Sequence, residues 1–350
     1  MNIYEQQSAN RRMTVLIMAV FVGFFLLLGF GFDYFYFGYR PLGGDEVRWN
    51  AAGYYEPVRS GAGLPFATIA ALLIGGGMAV NGMVNGSRMV LRSTMARRVE
   101  PGGPENERRL LNVVAEMATA AGLPAPAVYV VPDADLNAFA TGMSPTSSAI
   151  AVTQGLLEKL NREELQGVVA HEMSHIRNLD IRLMTLSAAL TGAIALLSDF
   201  AGRSMRYGRS SGGSFGRSSS GSSRRGGGGA GALLFFALWL VLIILAPLLS
   251  RMLAMAISRQ REYLADASGA ELTRNPAALI AALEKIKAAV EPTAAINNGV
   301  AHMCIADPRG SLIEEKAGFA ADLLATHPPM AKRILALKVM AYQGERPAAV

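Results

Sequence analysis

His171 and His175 stand four residues apart in Val168-Val-Ala-His171-Glu172-Met-Ser-His175-Ile-Arg-Asn178. On a helix that spacing puts both imidazoles on one face, a turn apart, where they can reach a single ion. Glu172 follows the first histidine and lies about 100° around the helix. From there it can take a proton from water activated at a metal without itself being a ligand. The pattern is H-E-x-x-H, a zinc peptidase spacing, and one Zn2+ per subunit is the expected cofactor. With 4 His and 18 Glu in 350 residues, chance produces it roughly twice in a thousand such chains.

The residues before the motif supply a helix start. Asn161 suits an N-cap, Glu164 stands three residues on to complete a capping box, and Leu160 with Leu165 are spaced as a hydrophobic staple. A catalytic zinc needs a third protein ligand, and a carboxylate completes two imidazoles in the His2Glu class. Glu262 is the leading candidate, in Ser258-Arg-Gln-Arg-Glu262-Tyr-Leu-Ala-Asp266. Asp266, four residues on, shares its helix face and could accept the far N–H of a ligand histidine. An acidic pair at this spacing, beside Arg259 and Arg261, also reads as a solvated face. His327 precedes two prolines and is therefore extended; it could help stabilise an oxyanion, with Arg333 anchoring the segment on a carboxylate, or the segment could be a structural turn. His302 reads as a surface or packing histidine.

Composition places this chemistry in a membrane protein. The chain is 51% hydrophobic and 17% charged, with a mean hydropathy of +0.28, too apolar for an ordinary soluble enzyme. The single Cys304 excludes an intramolecular disulfide. The net charge of +6 comes without any nucleic-acid motif, and arginines flanking membrane spans account for it.

Residues 13–32 carry only apolar and uncharged side chains, long enough to cross about 30 Å of hydrocarbon. They read as a signal anchor rather than a cleavable peptide. Residues 33–64 read as an external loop, and 65–87 as a second span. Arg11 and Arg12 before the first span, and Arg88, Arg92, Arg97 and Arg98 after the second, place the N-terminus and everything after residue 88 in the cytoplasm. A helix is expected over 104–121 between Pro104 and Gly122. Strands are expected at 127–131 and 148–152, separated by Asn137-Ala-Phe-Ala-Thr-Gly142, with an edge that could align an extended peptide. The Gly/Ser/Arg stretch 203–230 reads as a disordered loop between spans at 183–202 and 230–250. Further helices are expected over 276–290 and after Arg333. The domain division is thus 1–92, a two-span membrane region; 93–181, a first catalytic part; 182–257, a membrane hairpin; and 258–350, a second catalytic part.

The chain resembles the HtpX family of membrane zinc endopeptidases, relatives of the CaaX prenyl protease. The matching residues are Asn137-Ala-Phe-Ala-Thr-Gly142, Asn161-Arg-Glu-Glu164, His171-Glu-Met-Ser-His175 with Asn178 and Asp180, Arg261-Glu262-Tyr-Leu-Ala-Asp266, and Thr326-His327-Pro-Pro-x-x-x-Arg333-Ile. The resemblance implies that His171, His175 and Glu262 bind zinc, that Glu172 is the general base, and that Asp266 supports a ligand. His327, Arg333 and Asn137 become candidate oxyanion or substrate contacts. It implies an α-helical integral membrane protein with a mainly α, zincin-like catalytic domain carrying a small β-sheet, and about four transmembrane helices. The implied role is cleavage of misfolded or damaged membrane proteins at the cytoplasmic face of the cell membrane, with protein substrates and lipid as partners. Two other readings stand beside it. A CaaX-type processing protease needs a chamber built from more than four spans, and an inactive quality-control scaffold would have no use for an intact metal motif.

Overall fold

A computed structural model describes residues 3–35, 39, 45–49, 55–59, 64–193, 259–289, 295–296, 299–306 and 328–344. The expected span at 230–250, the stretch 203–230, the far end of 183–202, and His327 lie outside the described residues. Two compact units result, one from Met1–Leu16, Asn81–Ala195 and Leu249–Val350, the other from Ile17–Val80 and Leu196–Leu248.

Helix α1 (Ile3–Phe35), of which residues 17–35 belong to the second unit, is longer than its apolar run, because the polar residues before residue 13 are themselves good helix formers. Strands β1 (Asp45–Trp49) and β2 (Tyr55–Arg59) pair antiparallel, Asp45 opposite Arg59. The expected plain loop at 33–64 therefore contains a hairpin. Its strands mix charged residues with few β-branched ones, which hides them from a pattern reading. Helix α2 (Phe66–Ser93) follows. Asp33, buried at the end of α1, accepts hydrogen bonds from Ala67 N (3.0 Å), Thr68 N (2.7 Å) and Thr68 Oγ1 (2.6 Å), so a carboxylate meets the positive start of α2. Leu73, Phe66 and Leu27 project outward. Among the described residues, α1 and α2 are the two helices long and apolar enough to cross a membrane.

The first unit is built on a four-stranded sheet of order β3-β4-β6-β5: β3 (Arg97–Arg98), β4 (Ala127–Val131), β5 (Ala138–Thr141) and β6 (Ala149–Thr153). β4 and β6 run parallel; β3 and β5 are antiparallel to their neighbours. The stretch expected only to separate two strands is thus itself a strand. Ala-Phe-Ala-Thr mixes two strand-favouring residues with two alanines over a short run, and its pairing with β6 supplies the order. One face of the sheet, with Val130, Ile150 and Val152, packs into the main core. The other, with Val131, Phe139 and Ala151, is covered by Val90, Leu91, Met184 and Met303. Burial on both faces explains the continuous apolar strands.

Helix α3 (Glu105–Ala121) begins after Pro104 and ends at Gly122, whose φ of 66° closes the helix in the left-handed conformation. A short α4 (Gln154–Lys159), capped by Thr153, leads into α5 (Arg162–Arg177). The capping box forms as spaced: Asn161 Oδ1 accepts from Glu164 N, and Glu164 Oε2 accepts from Asn161 N, both at 2.9 Å. Leu179, with φ 61°, turns the chain sharply into α6, residues 180–193. Then come α7 (Arg259–Thr273), α8 (Pro276–Ala288) and α9 (Met330–Gly344). Glycines let neighbours close on α5: a Cβ on Gly269 of α7 would lie 3.0 Å from His171 N, and one on Gly167 of α5 would lie 3.0 Å from Leu279 of α8.

Candidate metal centre

On α5 the two histidines face one point, and each ring is fixed from behind. His175 Nδ1 lies 3.0 Å from Asp180 Oδ2, and His171 Nδ1 lies 2.9 Å from Asp266 Oδ1. A carboxylate accepts only, so both Nδ1 atoms carry the proton and both Nε2 lone pairs point forward. These two nitrogens are 3.3 Å apart, close enough that a proton or a metal ion must lie between or beside them.

The close approach of α7 completes the donor set. Glu262 Oε2 is 3.6 Å from His171 Nε2, and Oε1 is 3.6 Å from His175 Nε2. A tetrahedral ion with arms of about 2.0–2.2 Å needs ligand-to-ligand edges of about 3.3–3.6 Å. Together, His171, His175 and Glu262 form a buried group with the spacing to hold a metal ion. Burial alone would lower the His171 pKa, but hydrogen bonds to Asp266 and Glu262 outweigh it and push it up to about 9. Proton and metal therefore compete for the same negative field.

Glu172 is different. It is 1% exposed and neither of its oxygens has a hydrogen-bond partner among the described residues. Burial raises its pKa, opposed by the neighbouring histidines. A buried carboxylate without partners costs stability, so its presence needs a functional account.

Arg333, in the first turn of α9, is fully buried behind Asp266. Its Nε and Nη2 donate to Asp266 at 2.8 and 2.7 Å, its Nη1 donates to Ile305 O at 2.6 Å, and Nη1 is 3.4 Å from Glu262 Oε2. The expected anchoring carboxylate is thus Asp266, and α9 is tied to the metal ligands through it. The Asn137 side chain is held by backbone groups: it accepts from Ala138 N (3.1 Å) and donates to Ala306 O (3.1 Å), holding residue 306 against β5. Ile305 N donates to Ala138 O at 2.9 Å, and Phe139 bridges Cys304, so the outer edge of β5 is partly taken by the chain itself. Residues 137–139 of this edge are therefore closed to an added strand. His302 packs, with Nε2 3.1 Å from Met184 O.

Sequence reasoning gave no role of its own to Asp180, the partner of His175. An acid directly before an apolar run was the available signal. Asn10, which lies between Asp180 and Arg261, carried none.

Residues 104–341 match the model described as Peptidase family M48. The chain belongs to that family. Its M48 relatives include three proteins named "Protease HtpX homolog". The one from Streptococcus gordonii is 38% identical over 339 residues, those from Streptococcus pyogenes serotype M3 and Streptococcus uberis are 39% and 37% identical, and each match covers 97% of this chain and 100% of the relative. A solved structure, "Crystal Structure of S. mikatae Ste24p", aligns with 95% of this chain and 67% of its own at 18% identity and a TM-score of 0.45, a likeness too slight to carry an argument. M48 membership, with the two apolar helices, makes the chain a membrane-associated metalloprotease acting on peptides or proteins.

Proposed function

We propose that the chain is a zinc-dependent endopeptidase that hydrolyses misfolded or damaged membrane proteins at the cytoplasmic face. The observation that carries it is the pairing of the His171, His175 and Glu262 set, spaced to hold an ion, with Glu172, which has no hydrogen-bond partner among the described residues. When bound, zinc acts as a Lewis acid that acidifies water and polarises a peptide carbonyl. Glu172 takes the proton of the attacking water and passes it to the leaving amine; its burial-raised pKa suits both transfers. Asp266 and Asp180 hold the histidine tautomers, and Arg333 fixes Asp266. Arg333 thus acts on ligand geometry rather than on substrate. His327 is kept as a candidate oxyanion contact, and Asn137 as a residue that shapes the β5 edge.

The polar start of α1 supports the orientation. Gln7 Nε2 donates to Arg177 O at 2.8 Å and Asn10 Nδ2 to Asn178 O at 3.0 Å, so the N-terminus and the metal ligands share one side of the membrane. Flanking arginines favour the cytoplasm as that side. Glu262 must join His171 and His175 there, so an even number of crossings separates them; together with α1 and α2, spans at 183–202 and 230–250 give four.

Glu172→Gln tests the reading. Purified in detergent, the variant should hold metal as wild type does while casein cleavage falls about 10²–10⁴-fold. Loss of metal from a folded variant, or undiminished cleavage, overturns the role of Glu172.

A further inference from the structure

Asn10 lies on α1, 170 residues before Asp180, yet its side chain is buried against it. Its Nδ2 donates to Asp180 Oδ1 at 2.6 Å and to Asn178 O at 3.0 Å. Its Oδ1 accepts from Arg261 Nη1 at 3.0 Å. The amide orientation is forced, because a guanidinium only donates and a carboxylate only accepts; the reversed amide would set like against like at both contacts. Arg261 Nη1 itself is 3.7 Å from Asp180 Oδ1, beyond a good hydrogen bond. Asn10 is thus the short connection between the two.

Asp180 is fully buried and uses its other oxygen, Oδ2, to hold His175 Nδ1. With Oδ1 fixed by Asn10, the carboxylate plane is set, and with it the ring of His175. We propose that Asn10 is a positioning residue for the metal centre, and that the polar start of the first membrane helix is a working part of the protease rather than an anchor alone. The inference rests on the reading of His171, His175 and Glu262 as metal ligands. It adds a requirement that the ligand set does not show: Asn10 must be docked on Asp180 for His175 to be held in its ligating pose.

The partners of a metal-bound histidine typically change metal affinity by about 10–100-fold when removed. The test uses the full chain in detergent, loaded with zinc, and measures affinity by competition with a chelator. Cobalt substitution then reports ligand geometry through visible absorption. Asn10→Ala should weaken zinc about 10-fold or more and alter the cobalt spectrum. Asn10→Asp keeps the shape and the bond to Arg261 but turns an acceptor toward Asp180, so it should weaken zinc at least as much as alanine does. Gln7→Ala removes a neighbouring tether of the same helix to Arg177 O and should leave zinc affinity within about twofold of wild type, the ligand shell being untouched. Wild-type affinity and spectrum in both Asn10 variants overturns the assignment, as does a near-normal Asn10→Asp beside a weakened Asn10→Ala, which would reduce Asn10 to packing. If wild type itself fails to hold zinc, the metal-centre reading falls and takes this inference with it.

Discussion

Replacing Arg333 by methionine tests how the buried charges behind the ligands are balanced. Methionine keeps much of the length and removes every donor. The guanidinium is 0% exposed, donates twice to Asp266 and once to Ile305 O, and is the cation that pairs with the Asp266 carboxylate. Breaking a buried ion pair from one side costs about 3–5 kcal/mol, because the remaining charge keeps its desolvation cost. Loss of the hold on Asp266, and through it on His171, should also weaken metal binding about 10–100-fold. The pH dependence follows with a definite sign. Burial raises the Asp266 pKa, but the pairing with Arg333 and the hydrogen bonds from Arg333 and His171 outweigh it and lower it to about 2. A depressed carboxylate contributes stability above its unfolded value near 3.8, and that contribution disappears as pH falls toward about 2. In Arg333→Met the burial effect is opposed only by His171, so acid unfolding should begin at higher pH. The assay is denaturant unfolding in detergent across pH, with chelator competition for the metal. Combination with Asp266→Asn should show coupling of about 1–3 kcal/mol. Coupling under about 0.5 kcal/mol, with wild-type metal affinity in Arg333→Met, would refute the reasoning.

Other outcomes follow from the same geometry. Glu262→Ala should empty the metal site, whereas Asp266→Ala should weaken it about 10–100-fold, as metal analysis of the purified variants would read; the reverse order would exchange their roles. Gly269→Val should destabilise the protein by about 1–3 kcal/mol and lower metal affinity, because its side chain meets the His171 backbone and pushes Glu262 away; unfolding and chelator titration measure both. For the four-span topology, a cysteine at Ser219 in a Cys304→Ser background should react with an impermeant maleimide in intact cells, and protection until lysis would leave two spans.

The metal helix was legible because its signals are local. The His171 and His175 spacing, Glu172 between them, and the Asn161 to Glu164 capping box all lie within 15 residues, where helical periodicity relates position to direction. The start and stop of α3 were legible for the same reason. Glu262 and Asp266 came from the coordination chemistry a catalytic metal demands, together with the family resemblance. β5 was missed because it is only four residues long, two of them alanine, and takes its shape from β6. The roles of Asp180, Asn10 and Arg333 were decided only in three dimensions. The Asn10 to Asp180 bond spans 170 residues and the Arg333 to Asp266 bonds span 67, and no sequence period couples residues that far apart. What joins them is the close packing of α7 on α5 and the docking of the start of α1. Once these buried the charges of Asp180, Asp266 and Arg333, leaving any of them uncompensated would have been costly, and each is held by a specific partner.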